Sequence, residues 1–190
     1  TAVAATSTIT GTGTKKLSVG TNIINVKCKS GSGSTRTYKL TVVRKEAAKP
    51  TGTLSSAKYT VGDKYITGIV PGTRAADFLA GLSVDGGTAK LVGTDGKQNQ
   101  GLVATGNKVK VYVNNKKKTS YKVVIYGDVN GDGEINVLDM IKVNRHILGL
   151  DKLSGTYLVA ADANHKGDGL NVLDMIYINR HALGLSTIKQ

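Results

Sequence analysis

Oxygen-bearing side chains recur at every second position between Asp128 and Asn136 of this 190-residue chain. In GDVNGDGEINVLD they fill positions 1, 3, 5, 7 and 9 of a twelve-residue loop, with Gly133 at position 6 and Asp139 at position 12. Calcium is a hard cation that takes about six to eight oxygen ligands, and this spacing wraps a chain round such an ion. The sequence therefore predicts a calcium site, in preference to a surface turn without an ion. The predicted ligands are Asp128, Asn130, Asp132, the backbone carbonyl of Glu134, Asn136 directly or through water, and Asp139.

A second loop of this kind runs from Asp162 to Asp174, but it has thirteen residues where the first has twelve. A simple count puts Lys166 at position 5, and an ammonium group cannot ligate a cation. Either Asp168 takes over as a ligand, or the second site is weak. We interpret His165 as a loop residue, because no ligand softer than oxygen accompanies it. The predicted ligands are Asp162, Asn164, Asp168, Asn171 and Asp174, so two calcium ions are expected.

Each acidic loop leads into a repeated segment. Residues 136–150 and 171–185 align without gaps and are identical at 12 of 15 positions. A duplication of this quality predicts two copies of one loop–helix unit related by an approximate two-fold axis. The first copy follows a strand, because Tyr121 to Tyr126 alternates in polarity.

The first repeated helix has more apolar residues than one stripe can hold. A helix packed against one neighbour needs an apolar stripe about 100° wide. Some of these residues are expected to face the sister helix, and the surplus is left for a partner, with Met140 and Ile141 among the predicted partner contacts. In the alternative interpretation, Val137 and Leu138 are core residues and Arg145 caps the helix end. The apolar residues are Val137, Leu138, Met140, Ile141, Val143, Ile147 and Leu148.

Composition limits the other possible functions. The net charge is +13, but residues 1–126 contain 20 Lys and Arg against 5 Asp and Glu, while residues 127–190 contain 6 against 8. The lysines are scattered along strands without interleaved exposed aromatic residues or Arg pairs, which favours a solvated strand face over a nucleic-acid site. No apolar run is long enough for a membrane span, and the start of the chain lacks the pattern of a signal peptide. Cys28 is the sole cysteine and is predicted to be a small buried residue.

Two β-rich segments precede the loops. Residues 1–47 resemble the C-terminal part of cadherin-like β-sandwich repeats of bacterial surface proteins, on the basis of LSVGTN at 17–22 and TYKLTV at 37–42. Residues 53–126 contain KYTVGDKYITGIV at 58–70, PGTRAADFLAGL at 71–82 and NKVKVYVNN at 107–115. With these segments they resemble the X-type β-rich module that commonly precedes a dockerin, and a spacer role is expected for them. Sugar binding by these segments has thin support, because they have Tyr residues and one Phe but no Trp.

The paired loops themselves resemble a dockerin. The first reads D-x-N-x-D-G-x-I-N-x-x-D, and its helix ends in RHILGL at 145–150. The resemblance implies a small all-α, calcium-binding module at 127–190 with two EF-hand-like loop–helix repeats, in a multi-domain chain whose N-terminal modules are mainly β. It also implies an extracellular or cell-surface protein that docks onto a cohesin. The partner-binding residues that it implies are Val137, Leu138, Asn144 and Arg145, with Val172, Leu173, Asn179 and Arg180 in the second copy.

Two other classes of function are disfavoured. A calmodulin-type switch would have an incoming helix before the first loop and Glu in place of Asp139 and Asp174. An enzyme would need a nucleophile, a free carboxylate pair or a phosphate-binding motif near His146 or His181, and none accompanies them. The alternative to docking is a calcium-stabilised spacer whose β modules bind carbohydrate or cell wall weakly.

Overall fold

The computed structural model describes residues 6–190, which divide into two compact units. The first unit ends at Lys49, and the second runs from Pro50 to Gln190. Within the described residues, no helix has the length and apolar character needed to cross a membrane.

The first unit is a three-stranded antiparallel sheet of β1 (Thr8–Thr10), β2 (Gly20–Lys29) and β3 (Thr35–Arg44), with β2 in the middle. Residues 6–49 show this one sheet, so the β-sandwich expected for residues 1–47 is not confirmed; residues 1–5 of that prediction lie outside the described residues. Cys28 is half-buried, which corrects the prediction that it is buried. A single sheet leaves side chains on both faces in contact with water.

The second unit begins with a β-rich part. Its elements are β4 (Leu54–Ser55), β5 (Thr60–Val61), β6 (Tyr65–Thr67), α1 (Ala75–Ala80), β7 (Ser83–Val84), β8 (Thr88–Val92), β9 (Lys108–Val113) and β10 (Lys116–Val123). Five of its strands form a sheet in the order β5-β6-β10-β9-β8, where the β6–β10 pair is parallel and the other pairs are antiparallel, while β4 and β7 pair with each other. Strands β9 and β10 form a hairpin whose turn residues Asn114 and Asn115 have φ of 49° and 62°, a conformation that Asn tolerates well.

One face of the five-stranded sheet is buried. Val109, Val111 and Val123 alternate along β9 and β10 and are fully buried in a core that also contains Phe78 of α1. Because strand side chains alternate between faces, the residues between them project from the opposite side. That opposite face therefore carries Lys108 and Lys110 of β9 and Lys117 and Lys122 of β10.

The second unit ends with a helical part of α2 (Val137–Ile147), α3 (Gly155–Ala161) and α4 (Val172–Ala182). Asn136 and Asn171 cap α2 and α4 in the same way: each side chain accepts a hydrogen bond from the backbone two residues later, within a capping box. Val143 and Ile178, at equivalent positions of these helices, are fully buried in a second core.

Helix α3 was not predicted from the sequence. It has seven residues, which is too short for the helical period to stand out, although Ser154 occupies the N-cap position. It stands before the second loop, whereas β10 precedes the first loop. The two loop–helix copies therefore share their outgoing helices and differ in what leads into them.

Candidate metal centre

Asp128, the first predicted ligand, is fully buried and anchors the start of the first loop. Its Oδ1 accepts a hydrogen bond from the backbone N–H of Gly131 (2.7 Å), and its Oδ2 accepts one from that of Gly133 (3.2 Å). A further N–H donor, that of Thr105 in the segment before β9, lies 2.8 Å from Oδ2. The backbone N–H of Gly72 also donates to the Gly133 carbonyl at 2.8 Å. The β-rich part thus forms two hydrogen bonds with the first loop, which are called the brace below. The sequence carries no motif that predicts them.

Asp139 closes the same loop and is also fully buried. Its Oδ1 accepts hydrogen bonds from the backbone N–H groups of Val129 (2.9 Å) and Asn130 (3.0 Å), and its Oδ2 accepts one from that of Asn136 (2.9 Å). This carboxylate therefore ties the beginning of the loop to the start of α2. In this position an Asp serves both as a loop-closing acid and as a partner in the helix cap.

In the middle of the first loop, Asp132 and Glu134 are exposed, whereas Asn130 is half-buried and Gly133 is buried. The Asn130 Oδ1 accepts from the backbone N–H of Asp132 (2.9 Å), and the Asp132 Oδ1 accepts from that of Glu134 (2.9 Å). The Glu134 side chain is exposed, in keeping with its predicted use of a backbone carbonyl. Asn136 is half-buried, and its Oδ1 accepts from the backbone N–H of Leu138.

Burial is the main cause of the shifted pKa values of the acidic residues in this loop. It raises the pKa of Asp128 to about 6, against backbone hydrogen bonds that lower it, and the Asp139 and Asp132 carboxylates raise it further. Burial also raises the pKa of Asp139, where the Asp132 carboxylate again adds to the effect. Two buried acids close to a third therefore resist ionising together, and a bound cation would offset that cost.

The donor set fits calcium by its chemistry, although the carboxylates are not gathered as a bound ion would gather them. Within residues 6–190, no group of three or more His, Cys, Asp or Glu side chains stands in an arrangement that could hold a metal ion. The carboxylate oxygens point to backbone N–H groups, but each ionised carboxylate has about four lone-pair sites and can accept more than these bonds. Oxygen atoms are the ligands that calcium takes. Calcium would be held by the Asp128, Asn130, Asp132 and Asp139 side chains and the Glu134 carbonyl, and would supply positive charge to buried acids.

The second loop repeats the first half of this pattern. The Asp162 Oδ2 accepts from the backbone N–H of Gly167 (3.2 Å), and the Asn164 Oδ1 accepts from that of Lys166 (2.8 Å). These are the bonds that Asp128 and Asn130 make with residues five and two positions later. Lys166 therefore stands where the first loop has Asp132.

The second half of this loop contains the additional residue. Asp174 is fully buried, and its two oxygens accept from the backbone N–H groups of Asn164 and Asn171, both at 3.1 Å, as Asp139 does in the first loop. Asp168 is exposed, and its Oδ1 lies 3.2 Å from the Asn171 Nδ2. The extra length thus lies between Gly167 and Asn171, and Asp168 is directed towards Asn171.

Lys189 contacts the second loop, and Gln190 contacts Tyr126. The Gln190 side chain accepts from the backbone N–H of Tyr126 (2.8 Å) and donates to its carbonyl (2.9 Å). The His165 Nε2 lies 2.7 Å from the Lys189 carbonyl, and the His165 ring lies edge-on to Tyr126 with centroids 4.2 Å apart. Sequence reasoning missed Gln190, because a terminal Gln carries no local signal for such a contact.

His146 and His181 have structural contacts at the ends of α2 and α4. The His146 Nδ1 accepts from the backbone N–H of Leu153 (2.9 Å), and the His181 Nδ1 accepts from that of Ile188 (3.1 Å). Burial lowers the pKa of His181, which favours the neutral form that can accept this bond. Each histidine side chain thus holds the segment that follows its helix through a hydrogen bond to the backbone of that segment.

The two helices expose matching apolar faces. Val137, Leu138 and Ile141 of α2 are 53%, 55% and 45% exposed, and the equivalent Val172, Leu173 and Ile176 of α4 are 52%, 45% and 44% exposed. Val137 and Leu138 are therefore not core residues, and the alternative interpretation is wrong on that point. Met140 is half-buried and packs against the second core. The polar residues predicted to contact a partner are all exposed: Asn144, Arg145, Asn179 and Arg180.

One comparison accounts for both loops and both equivalent helices. Residues 126–183 match the dockerin type I domain. Dockerins in general bind calcium and dock onto cohesins. No curated protein and no solved structure matches the chain. Residues 126–183 are called the dockerin region below, and the resemblances stated for residues 1–47 and 53–126 remain predictions.

Proposed function

We propose that the dockerin region attaches its parent extracellular or cell-surface protein to a cohesin, within a cellulosome-type or surface-bound complex that degrades polysaccharides. The observation that carries this proposal is the pair of matching exposed faces on α2 and α4. Contiguous exposed apolar side chains mark protein–protein contact sites, and Arg, which lies beside them here, is enriched in binding hot spots. Val137, Leu138 and Ile141 are exposed on α2, and the three equivalent residues are exposed on α4. Packing within the domain does not explain this repeated exposure, whereas a partner that covers the faces would.

In this proposal calcium has a structural role. A region of about sixty residues buries little apolar surface of its own, so ion binding contributes directly to its folding free energy. Two ions are proposed, with the first loop binding more tightly. The first loop offers three acidic side chains and an external brace from Thr105, whereas the second has Lys166 in place of Asp132.

Either face is proposed to carry the contact, after a half-turn of the dockerin region on the cohesin. The two faces share Val, Leu, Ile, Asn and Arg at matching positions. They differ at two positions: Lys142 of α2 corresponds to Tyr177 of α4, and Ile147 of α2 corresponds to Ala182 of α4. Affinities through the two faces are therefore expected to be similar but not equal, because these four side chains differ in charge and apolar area.

The rest of the chain is proposed to have no catalytic role. The buried acids are accounted for by the two loops and the histidines by backbone contacts. In this proposal the dockerin region takes no nucleic acid and no small-molecule substrate. The β-rich part acts as a spacer and as a brace for the first loop.

Three variants test the proposal against a cohesin that binds the unaltered chain. The first changes the α2 face (Val137→Ser, Leu138→Ser, Asn144→Ala, Arg145→Ala), the second changes the α4 face (Val172→Ser, Leu173→Ser, Asn179→Ala, Arg180→Ala), and the third combines both. Each single-face variant should bind within about tenfold of the unaltered chain, while the combined variant should lose about a hundredfold or more. Calorimetric titration measures the affinities.

The matched control is Val43→Ser, which alters an exposed apolar residue of β3, outside α2 and α4. It should bind normally, and circular dichroism should show that all variants fold. Normal binding by the combined variant would exclude these faces as the docking surface. Loss of binding in one single-face variant alone would restrict docking to that face.

A further inference from the structure

The outer face of the five-stranded sheet forms a shallow basic groove of about 540 Å³. Eight residues line it in the part of the chain that the structure describes; five of these are lysines and one, Asp63, is acidic. Tyr65 and Ser120 complete the lining. The lysines are Lys64, Lys108, Lys110, Lys117 and Lys122. Lysines that are scattered in the sequence are therefore gathered on one surface.

Strand register explains how the lysines meet. Lys108 of β9 lies directly opposite Lys122 of β10, and Lys110 of β9 lies opposite Lys90 of β8. Directly opposed residues have Cβ atoms about 5 Å apart, and residues two apart along a strand are separated by about 6.7 Å. The groove therefore presents the ammonium groups of two adjacent strands, β9 and β10, and of Lys64 just before β6, while Lys90 lies outside its lining.

This array has a cost in the isolated protein. Like charges directly opposite each other on a sheet destabilise the pairing, and here two such pairs are adjacent. The inner face of the sheet explains why these segments are strands, because Val109, Val111 and Val123 of that face fill the core. Core packing does not explain why the charged outer positions of β9 and β10 are all Lys rather than alternating in sign. A bound polyanion would offset this repulsion, because its negative charges attract each of the lysines.

We propose that this groove binds an anionic polysaccharide through its carboxylate groups. A folded protein partner is disfavoured, because Lys is depleted at protein interfaces, which need an apolar core that this lining lacks. Single-stranded nucleic acid is disfavoured, because Tyr65 packs against the second core and is not free to stack on bases. Lys also binds anions as a point charge, without the bidentate geometry with which Arg reads phosphates and bases. A flexible chain with repeated carboxylates fits a shallow, polar and basic groove best.

This inference does not depend on the docking function. It also differs from sugar recognition by aromatic stacking, for which the β-rich segments lack the side chains. The contact is electrostatic, so it should weaken with salt, since the Debye length falls to about 8 Å at physiological ionic strength.

The test uses two polymers with one backbone: carboxymethyl cellulose, which is anionic, and hydroxyethyl cellulose, which is neutral. Biolayer interferometry measures the binding of the full 190-residue chain, with calcium present, at low and at physiological salt. The groove variant is Lys108→Gln, Lys110→Gln and Lys122→Gln. The matched control is Lys58→Gln, Lys97→Gln and Lys152→Gln, which removes the same charge from exposed positions that do not line the groove.

The unaltered chain and the control should bind carboxymethyl cellulose with similar affinity and ignore hydroxyethyl cellulose. The groove variant should bind at least about tenfold more weakly, since each lysine near an anionic surface adds to the attraction. Equal weakening in both variants would show that net charge alone drives binding and would overturn the proposal. So would failure to bind carboxymethyl cellulose at low salt, or tighter binding of a single-stranded oligonucleotide than of the polysaccharide.

Discussion

At the scale of single residues, Asp132 and Lys166 distinguish the two loops. Each occupies the fifth position, and in each case its backbone N–H donates to the Asn two residues earlier. The backbone places the two side chains alike, but one adds a carboxylate and the other an ammonium group. Since calcium affinity depends on the charge and number of ligands, this one position makes the second loop the weaker site in our proposal.

Replacing Lys166 by Asp should therefore strengthen calcium binding at the second loop, by about tenfold. The new carboxylate would stand where the first loop has Asp132, and the cationic side chain would be gone. Calorimetric titration of calcium measures the change in the weaker of the two binding steps. Lys152→Asp makes the same change of charge outside the loop and should have little effect. Equal effects of the two substitutions would mean that net charge, not position 5, controls the affinity.

A second prediction at this scale concerns pH. Burial raises the pKa of Asp128 to about 6, so in the calcium-free protein this group stabilises the fold at pH values below its ordinary value of 3.8. That contribution is lost as the pH rises through about 6. Calcium binding needs the ionised carboxylate, so the apparent calcium affinity should fall as the pH drops below about 6. Calorimetry on both sides of this pH measures the change, and an affinity that stays constant would contradict the role of Asp128 as a ligand.

At the scale of elements, the first loop depends on a segment that lies outside the dockerin region. Residues 102–106 run alongside it, and the backbone of Thr105 reaches Asp128. The spacing from Asp128 to Asp139 predicted the loop, because ligand spacing is a local property of the chain. The brace could not be predicted, because it consists of backbone N–H and carbonyl groups that every residue has. Helix α3 was missed for a related reason, as seven residues carry too little periodicity.

Replacing Gly133 by Ala tests this brace. Gly133 has φ of 90°, and a Cβ there would lie 2.5 Å from the Val103 carbonyl oxygen. Gly149 is the matched control, because its φ is 71° but a Cβ there would have no atom within 4 Å. Each substitution should cost about 1–2 kcal/mol of unfolding free energy for the left-handed conformation, and Gly133→Ala about 1–3 kcal/mol more for the close contact. Thermal unfolding with calcium present measures both, and equal losses would mean that the loop is not held against Val103.

At the scale of the whole molecule, charge and exposure separate two surfaces of the second unit. The basic groove belongs to the outer face of the five-stranded sheet, and the exposed apolar faces belong to α2 and α4. The sequence predicted the duplicated helices and their surplus of apolar residues. It did not predict that lysines from separate strands would line one groove, because strand order and register are non-local. The β-rich part therefore braces the dockerin region and, in our proposal, holds a second ligand.

The central claim is that calcium holds a cohesin-binding surface in shape. The most direct measurement is calorimetric titration of the chain against a panel of cohesins, with calcium and after its removal by a chelator. We predict that at least one cohesin binds when calcium is present and that binding is lost after chelation, together with helical circular dichroism. Binding to no cohesin, or binding and circular dichroism that survive removal of calcium unchanged, would contradict the claim.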